Sequence, residues 1–167
     1  MTEFTIRPAT QDDVPVVLRL IKALAAYEKL SDAVVASEAG LRDALFGTPR
    51  YAEVLIGYAD GEAAGFALFF HNFSTFRGAP GVYLEDLFVE PQWRGHGLGR
   101  RLMAQVASLA IDRGCHRVEW MVLDWNDPAI KFYRHLGARP MDDWTLYRLS
   151  DGALNELAQS AIQQPVK

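Results

Sequence analysis

Three glycines fall within six residues in Arg94-Gly95-His96-Gly97-Leu98-Gly99. The stretch lies between an apolar β-prone run, Val82 to Val89, and a stripe at helical spacing, Leu98, Leu102, Val106 and Leu109. Pro91 stops the strand and Gly114 ends the helix. A strand, a tight turn and an amphipathic helix in that order commit this part of the chain to a layered α/β arrangement.

Glycines let a backbone turn tightly and approach a ligand closely. The first amides of a helix point outward, and its dipole favours negative charge there. Arg100 and Arg101 fall in the first helical turn, where cations are disfavoured. A bound diphosphate removes that conflict. The plainer alternative is a glycine-rich loop carrying two solvated arginines. Two common phosphate turns do not fit. A P-loop ends in Gly-Lys-Ser/Thr, whereas this stretch ends Gly99-Arg100-Arg101. The dinucleotide fingerprint is G-x-G-x-x-G, whereas Gly95, Gly97 and Gly99 give G-x-G-x-G late in a short chain.

The rest of the chain supplies further elements. Phe4 and Ile6 alternate with polar residues as in a short strand. Thr10-Gln-Asp-Asp13 starts a helix with an apolar face of Val14, Val17, Leu18, Ile21, Leu24 and Ala25, running to about Tyr27-Glu28. Ser37 caps a second helix that ends at Phe46, with Gly47 as terminator. Tyr51 to Tyr58 and Ala63 to Phe70 read as strands joined by the hairpin turn Ala59-Asp60-Gly61-Glu62. His71 to Gly81 reads as a loop, and Arg117 to Leu123 as a strand. Asn126-Asp127-Pro128 caps a helix to about His135, with Gly137 at its exit. Trp144 to Leu149 reads as a last strand, and Asp151 as the cap of a terminal helix. Gln159 to Lys167 is expected to fray. The order is β-α-α-β-β-β-α-β-α-β, with no repeat or linker, so residues 1–167 are read as a single domain.

Composition excludes several classes of function. Seventeen Lys and Arg against 21 Asp and Glu leave a net charge of −4 in 167 residues. That balance disfavours a general nucleic-acid binder, which needs a basic face. One cysteine, Cys115, excludes an internal disulfide framework and fits a reducing compartment. The longest apolar run, Ala63 to Phe70, is far short of the ~20 residues that span a membrane. The N-terminus carries no apolar signal core, so a cytoplasmic location is expected, with no membrane partner. His71, His96, His116 and His135 have no paired metal-ligand spacing, and no metal is expected.

Arg94, Gly97 and Gly99 match Arg/Gln-x-x-Gly-x-Gly/Ala, and here the chain resembles the GNAT acetyltransferases from about Thr2 to Leu149. Tyr83-Leu-Glu-Asp-Leu-Phe-Val89, Trp125-Asn126-Asp-Pro128, Phe132-Tyr133 and Ala26-Tyr27-Glu28 are similar to the diamine (spermidine/spermine) acetyltransferases. Val122-Leu-Asp-Trp-Asn126 looks like the thialysine acetyltransferases of that branch. The resemblance implies an α/β GNAT fold: a mixed, mostly antiparallel sheet of about six to seven strands, flanked by about four to five helices. It implies acetyl-CoA as co-substrate, a homodimer, and transfer of acetyl to a primary amine by direct attack in a ternary complex. Gly95 to Arg100 (Gly95, His96, Gly97, Leu98, Gly99, Arg100), with Arg94, would hold the pyrophosphate. The backbone of Leu87, Phe88 and Val89, freed by a bulge or splay, would hold the acetyl and pantetheine groups, and Asn126 the pantetheine arm. Tyr27, Glu28 and Glu85 would bind the amine, and Tyr133 would protonate the departing sulfur.

The chemistry sets demands on these residues. An amine of pKa ~10.4 must lose its proton before attack, at a cost of roughly 4–5 kcal/mol near neutral pH. Glu85 is the best-placed base or relay, on the strand leading into the turn. Its plain alternative is an outward-facing carboxylate. Strand alternation would put Glu85 and Asp86 on opposite faces, so they are not expected to act as a pair. Tyr133, pKa about 10, faces a thiol of about 8.5, so full transfer would be uphill by roughly 2 kcal/mol. A hydrogen bond that tightens as charge grows on sulfur describes its role better. On spacing alone Tyr133 could be a core aromatic, since Ala129 and Leu136 share its helix face. Tyr27 would offer an aromatic wall to a cation, or else simply pack in the core. Asp142 and Asp143 receive no role, because the chain is short there relative to the family. Cys115 reads as a packed thiol, since direct transfer needs no acyl-enzyme. Two rival readings are an acyl-CoA-binding module without catalysis and an acetyltransferase acting on proteins or peptides.

Overall fold

The computed structural model describes residues 2–162. It divides into two compact units, one ending at Asn126 and one beginning at Asp127. The first unit is built on a five-stranded sheet in the order β1-β2-β3-β4-β5. The strands are β1 (Phe4–Pro8), β2 (Glu53–Ala59), β3 (Glu62–Ser74), β4 (Ala79–Val89) and β5 (Val118–Glu119). The first four form an antiparallel meander, and β5 runs parallel to β4. The helices of this unit are α1 (Val14–Tyr27), α2 (Glu38–Phe46) and α3 (Leu98–Asp112).

The capping residues read from the sequence hold these elements in place. The Asp13 carboxylate accepts from the Thr10 amide at 2.7 Å and from its hydroxyl at 2.8 Å. It also takes both arms of Arg7, at 2.7 and 2.8 Å, which ties β1 to the start of α1. Ser37 Oγ accepts from the Gly40 amide, capping α2. Asp60 and Gly61 both have positive φ, as a two-residue hairpin turn requires. Helix α1 ends with Lys29 at φ 61°, while the Leu30 amide returns to the Ala25 carbonyl at 2.8 Å.

The sheet is covered on both faces. Val17 and Leu20 of α1 and Leu45 of α2 pack with Val54, Ile56, Phe66 and Phe88. On the opposite face α3 contributes Leu98, Leu102, Val106 and Ala110, all buried. A Cβ at Gly57 would come within 2.8 Å of Leu98, so this glycine lets the start of α3 sit directly on β2. The glycine-rich turn is thereby held close to the sheet.

The second unit contains α4 (Asp127–His135) and α5 (Asp151–Ile162). Gly137, at φ 89°, makes the exit from α4. Several boundaries differ from the sequence reading. Trp144 to Leu149 forms no strand among the described residues, because no neighbouring strand supplies its hydrogen bonds. Arg117 to Leu123 shortens to Val118–Glu119. The sheet therefore has five strands rather than six or seven. The expected loop His71 to Gly81 is mostly ladder, since β3 and β4 continue pairing out to Ser74↔Ala79. Residues 159–162 are helical rather than frayed, and 163–167 lie outside the described residues. Among the described residues, no helix is long and apolar enough to cross a membrane.

Candidate active site

Strand β4 is the axis of the site. Its pairing with β3 shifts register, from Phe69↔Leu84 to Leu68↔Asp86, which leaves Glu85 as an extra residue without an opposite number. The amides record the consequence. Val82 donates to Arg117 on the β5 side, whereas Glu90 donates to Ala64 on the β3 side. In a regular strand residues eight apart face the same neighbour. The bulge at Glu85 reverses that, so past it Phe88 and Glu90 face β3 while Leu87 and Val89 face the other edge.

That other edge is open. The β4–β5 ladder consists of Val82↔Val118 and Tyr83↔Glu119 and stops there. The splay expected beside Leu87 to Val89 is thus present, with one refinement. Phe88 turns its amide into the β3 ladder and buries its side chain, so the outward amides are those of Leu87 and Val89. The Val89 carbonyl, on the same edge, accepts from Arg94 Nε at 2.8 Å.

The glycine-rich turn follows. Gly95 and Gly97 have φ of 79° and 90°, a region L-residues rarely occupy. No atom lies within 4 Å of a Cβ built at either, so the space above the turn is clear. The Arg101 amide makes the first intrahelical bond of α3, to the Gly97 carbonyl at 3.1 Å. The preceding amides, of Leu98, Gly99 and Arg100, have no partner within the helix. Gly97 caps α3 without a side chain. His96 folds back on the turn, its Nδ1 donating to the Arg94 carbonyl at 2.8 Å. An open turn, free helix-start amides and a favourable dipole fit a diphosphate.

Three carboxylates gather nearby. Asp86 is pushed up to about 6, first by burial and then by the negative charges of Glu85 and Glu28. Burial also raises Glu28, which closes the C-terminal end of α1, where a carboxylate opposes the helix dipole. Placing negative charge against these local preferences makes sense if a cation is to be held. Sequence reasoning missed Asp86. Alternation assigned it to the far face from Glu85, and a one-residue bulge leaves no signature in composition or spacing.

Tyr27 sits in a box of side chains. The Arg94 guanidinium lies 4.2 Å from its ring centroid, and the Trp125 ring is 6.0 Å away at 51°. Its hydroxyl donates to Asn126 Oδ1 at 3.1 Å. One face of the expected aromatic wall is therefore already taken by the protein's own cation. The structure brings Tyr27, Phe88, Val89, Arg94 and Asn126 together, and couples Glu28, Glu85 and Asp86 electrostatically. Tyr133 lies on α4 of the second unit, with its ring 5.3 Å from that of Phe132. Among the described residues, no three His, Cys, Asp or Glu side chains group as a metal site.

The chain is 40% identical over 164 residues to a thialysine N-epsilon-acetyltransferase of Bos taurus, covering 92% of this chain and 96% of that protein. It is 32% identical over 197 residues to an L-ornithine N5-acetyltransferase of Arabidopsis thaliana, covering 91% and 86%. Among solved structures, an integron cassette protein from the mobile metagenome of V. cholerae superposes with a TM-score of 0.76 at 27% identity, over 93% of this chain and 98% of that one. A soil-metagenome aminoglycoside acetyltransferase shares the fold, with a TM-score of 0.75 at 19% identity over 88% and 97%. The profile of the acetyltransferase (GNAT) family matches residues 21–138. A mixed sheet with a bulged fourth strand, a splayed edge and a glycine turn opening a helix thus stands in a chain that belongs to the GNAT acetyltransferase family.

Proposed function

We propose that this chain uses acetyl-CoA to acetylate a primary amine of a small cationic substrate. Candidates are a polyamine, thialysine or a related ω-amino acid. One observation carries the reading: the bulged strand that bears two of three coupled carboxylates runs directly into an open glycine-rich turn at the start of a helix. The names of the relatives support it, since two of them act on side-chain amines of amino acids.

In this reading the amides from Gly95 to Arg100 receive the pyrophosphate, and Asn126 the pantetheine arm. Leu87 and Val89 direct amides to the edge where the acetyl oxygen gains charge. Glu28, Glu85 and Asp86 hold the ammonium of the substrate, with Tyr27 at their border. Glu85, the bulged residue and the most exposed of the three, takes the proton from the amine directly or through water. The neutral nitrogen then attacks the acetyl carbonyl while both substrates are bound, and the C–S bond breaks. Tyr133 donates a hydrogen bond to the departing sulfur. No metal and no covalent enzyme intermediate take part.

The reading extends to the whole molecule. The family match runs across the boundary at Asn126, which supports taking both units as one domain over residues 1–167. We place the enzyme in the cytoplasm as a homodimer. Trp144, Leu146, Tyr147 and Leu149 are exposed apolar side chains on one short segment, which supports self-association.

The test is thiol release from acetyl-CoA with a panel of diamines, thialysine, ornithine and short peptides, with products identified by mass. Release that depends on a small amine is the expected result. Binding without amine-dependent release would leave an acyl-CoA-binding module. Release with peptides alone would reassign the acceptor. Within the active enzyme, Tyr133→Phe is expected to lower kcat about tenfold or more. A turnover unchanged across pH removes the tyrosine from the chemistry.

A further inference from the structure

The contacts of Tyr27 point in a direction that amine recognition does not explain. Its ring carries the Arg94 guanidinium at 4.2 Å, and the same guanidinium lies 5.6 Å from the Phe88 ring. Arg94 Nε is committed to the Val89 carbonyl at 2.8 Å. Arg94 is the first residue of the glycine-rich turn and is otherwise exposed. A long side chain at such a place would ordinarily sample many rotamers. Here two aromatic rings and one backbone carbonyl fix it. The Tyr27 hydroxyl meanwhile donates to Oδ1 of Asn126, a residue only 7% exposed.

We propose that Tyr27 is a positioning residue for the coenzyme A site: it clasps the glycine-rich turn, through Arg94, and Asn126 to the end of α1. This rests on the acetyl-transfer reading and adds a specific claim to it. The residue preceding the amine-binding Glu28 also presets the cofactor turn. The end of α1 then serves both substrates, with Tyr27 facing the turn and Glu28 facing the carboxylate cluster. Pre-ordering Arg94 and Asn126 removes the cost of immobilising them when coenzyme A binds. The ring face that carries Arg94 is not available to a substrate cation.

The experiment is calorimetric binding of coenzyme A, without any amine, to the full-length protein and its variants. Tyr27→Leu removes the ring and is expected to weaken coenzyme A about fivefold or more. Tyr27→Phe keeps the ring under Arg94 and loses only the hydroxyl bond, so it is expected to recover most of that loss. Arg94→Ala combined with Tyr27→Leu is expected to bind only slightly more weakly than Arg94→Ala alone, because most of the tyrosine's effect runs through the arginine. Urea denaturation of each variant separates weakened binding from loss of fold. An unchanged Kd in Tyr27→Leu overturns the clasp, as do losses that multiply in the double variant. Wild-type protein that binds no coenzyme A overturns the acetyl-transfer reading and the clasp together. Wild-type binding with Tyr27→Leu unaffected overturns the clasp alone.

Discussion

Asp86 begins from an ordinary carboxyl of 3.8 and stands at about 6 in the folded chain, raised by burial and by Glu85 and Glu28. Between those values the folded state holds a proton that the unfolded state has released, so stability falls as pH rises through the window. Above about 6 the penalty is complete, and a rise of some two pKa units corresponds to about 3 kcal/mol. Asp86→Asn is therefore expected to raise the unfolding free energy near neutral pH by up to about 3 kcal/mol, with the gain vanishing below about pH 4. The same substitution is expected to raise KM for the amine. Urea denaturation at the two pH values, with steady-state kinetics, checks both; a gap that does not depend on pH tells against it. At this scale Glu85, Glu28 and Tyr27 were legible as candidates because local motifs carry them. The neighbour that titrates nearest to working pH was not. Its burial and its company arise from a register shift and from the end of a distant helix.

Caps and turns follow short-range rules, and Thr10, Ser37 and Asp60-Gly61 could be read where they stand. Long-range pairing cannot be read that way. His71 to Gly81 carries polar and turn-forming residues, yet most of it pairs as the outer ends of β3 and β4. Trp144 to Leu149 carries strand alternation, yet has no ladder among the described residues. Strand propensity describes a surface that fits a sheet, and the neighbour decides whether one forms. The link between β1 and α1 belongs to this scale. The Arg7 guanidinium holds the Asp13 carboxyl well below the usual carboxylate range, with Thr10 adding two hydrogen bonds. That contribution is fully present above the ordinary carboxylate pKa and is lost as pH falls through the lower folded value. Asp13→Ala is expected to cost about 1–2 kcal/mol at neutral pH. The cost should shrink in strong acid, and chemical denaturation at the two pH values measures it.

For the whole molecule, the exposed segment from Trp144 to Leu149 bears on assembly. Sedimentation of the wild-type chain is expected to give the dimer mass. Leu146→Asp with Tyr147→Asp is expected to shift it toward the monomer, and an unshifted dimer would place the contact elsewhere. Strand β4 also matters at this scale, because it carries Glu85, Asp86 and the outward Leu87 and Val89 amides in one continuous backbone. Its extra residue works as a change of reading frame. Upstream of Glu85 the chain is written for the β5 neighbour; downstream the same backbone is written for an edge with no neighbour. A single-residue deletion at position 85 would put the two stretches back in phase. Leu84 and Asp86 would become adjacent rungs opposite Phe69 and Leu68, with the Leu87 and Val89 amides still facing the open edge. What the extra residue supplies is thus Glu85 itself, a carboxylate beside Asp86 that displaces no rung of the ladder on either flank.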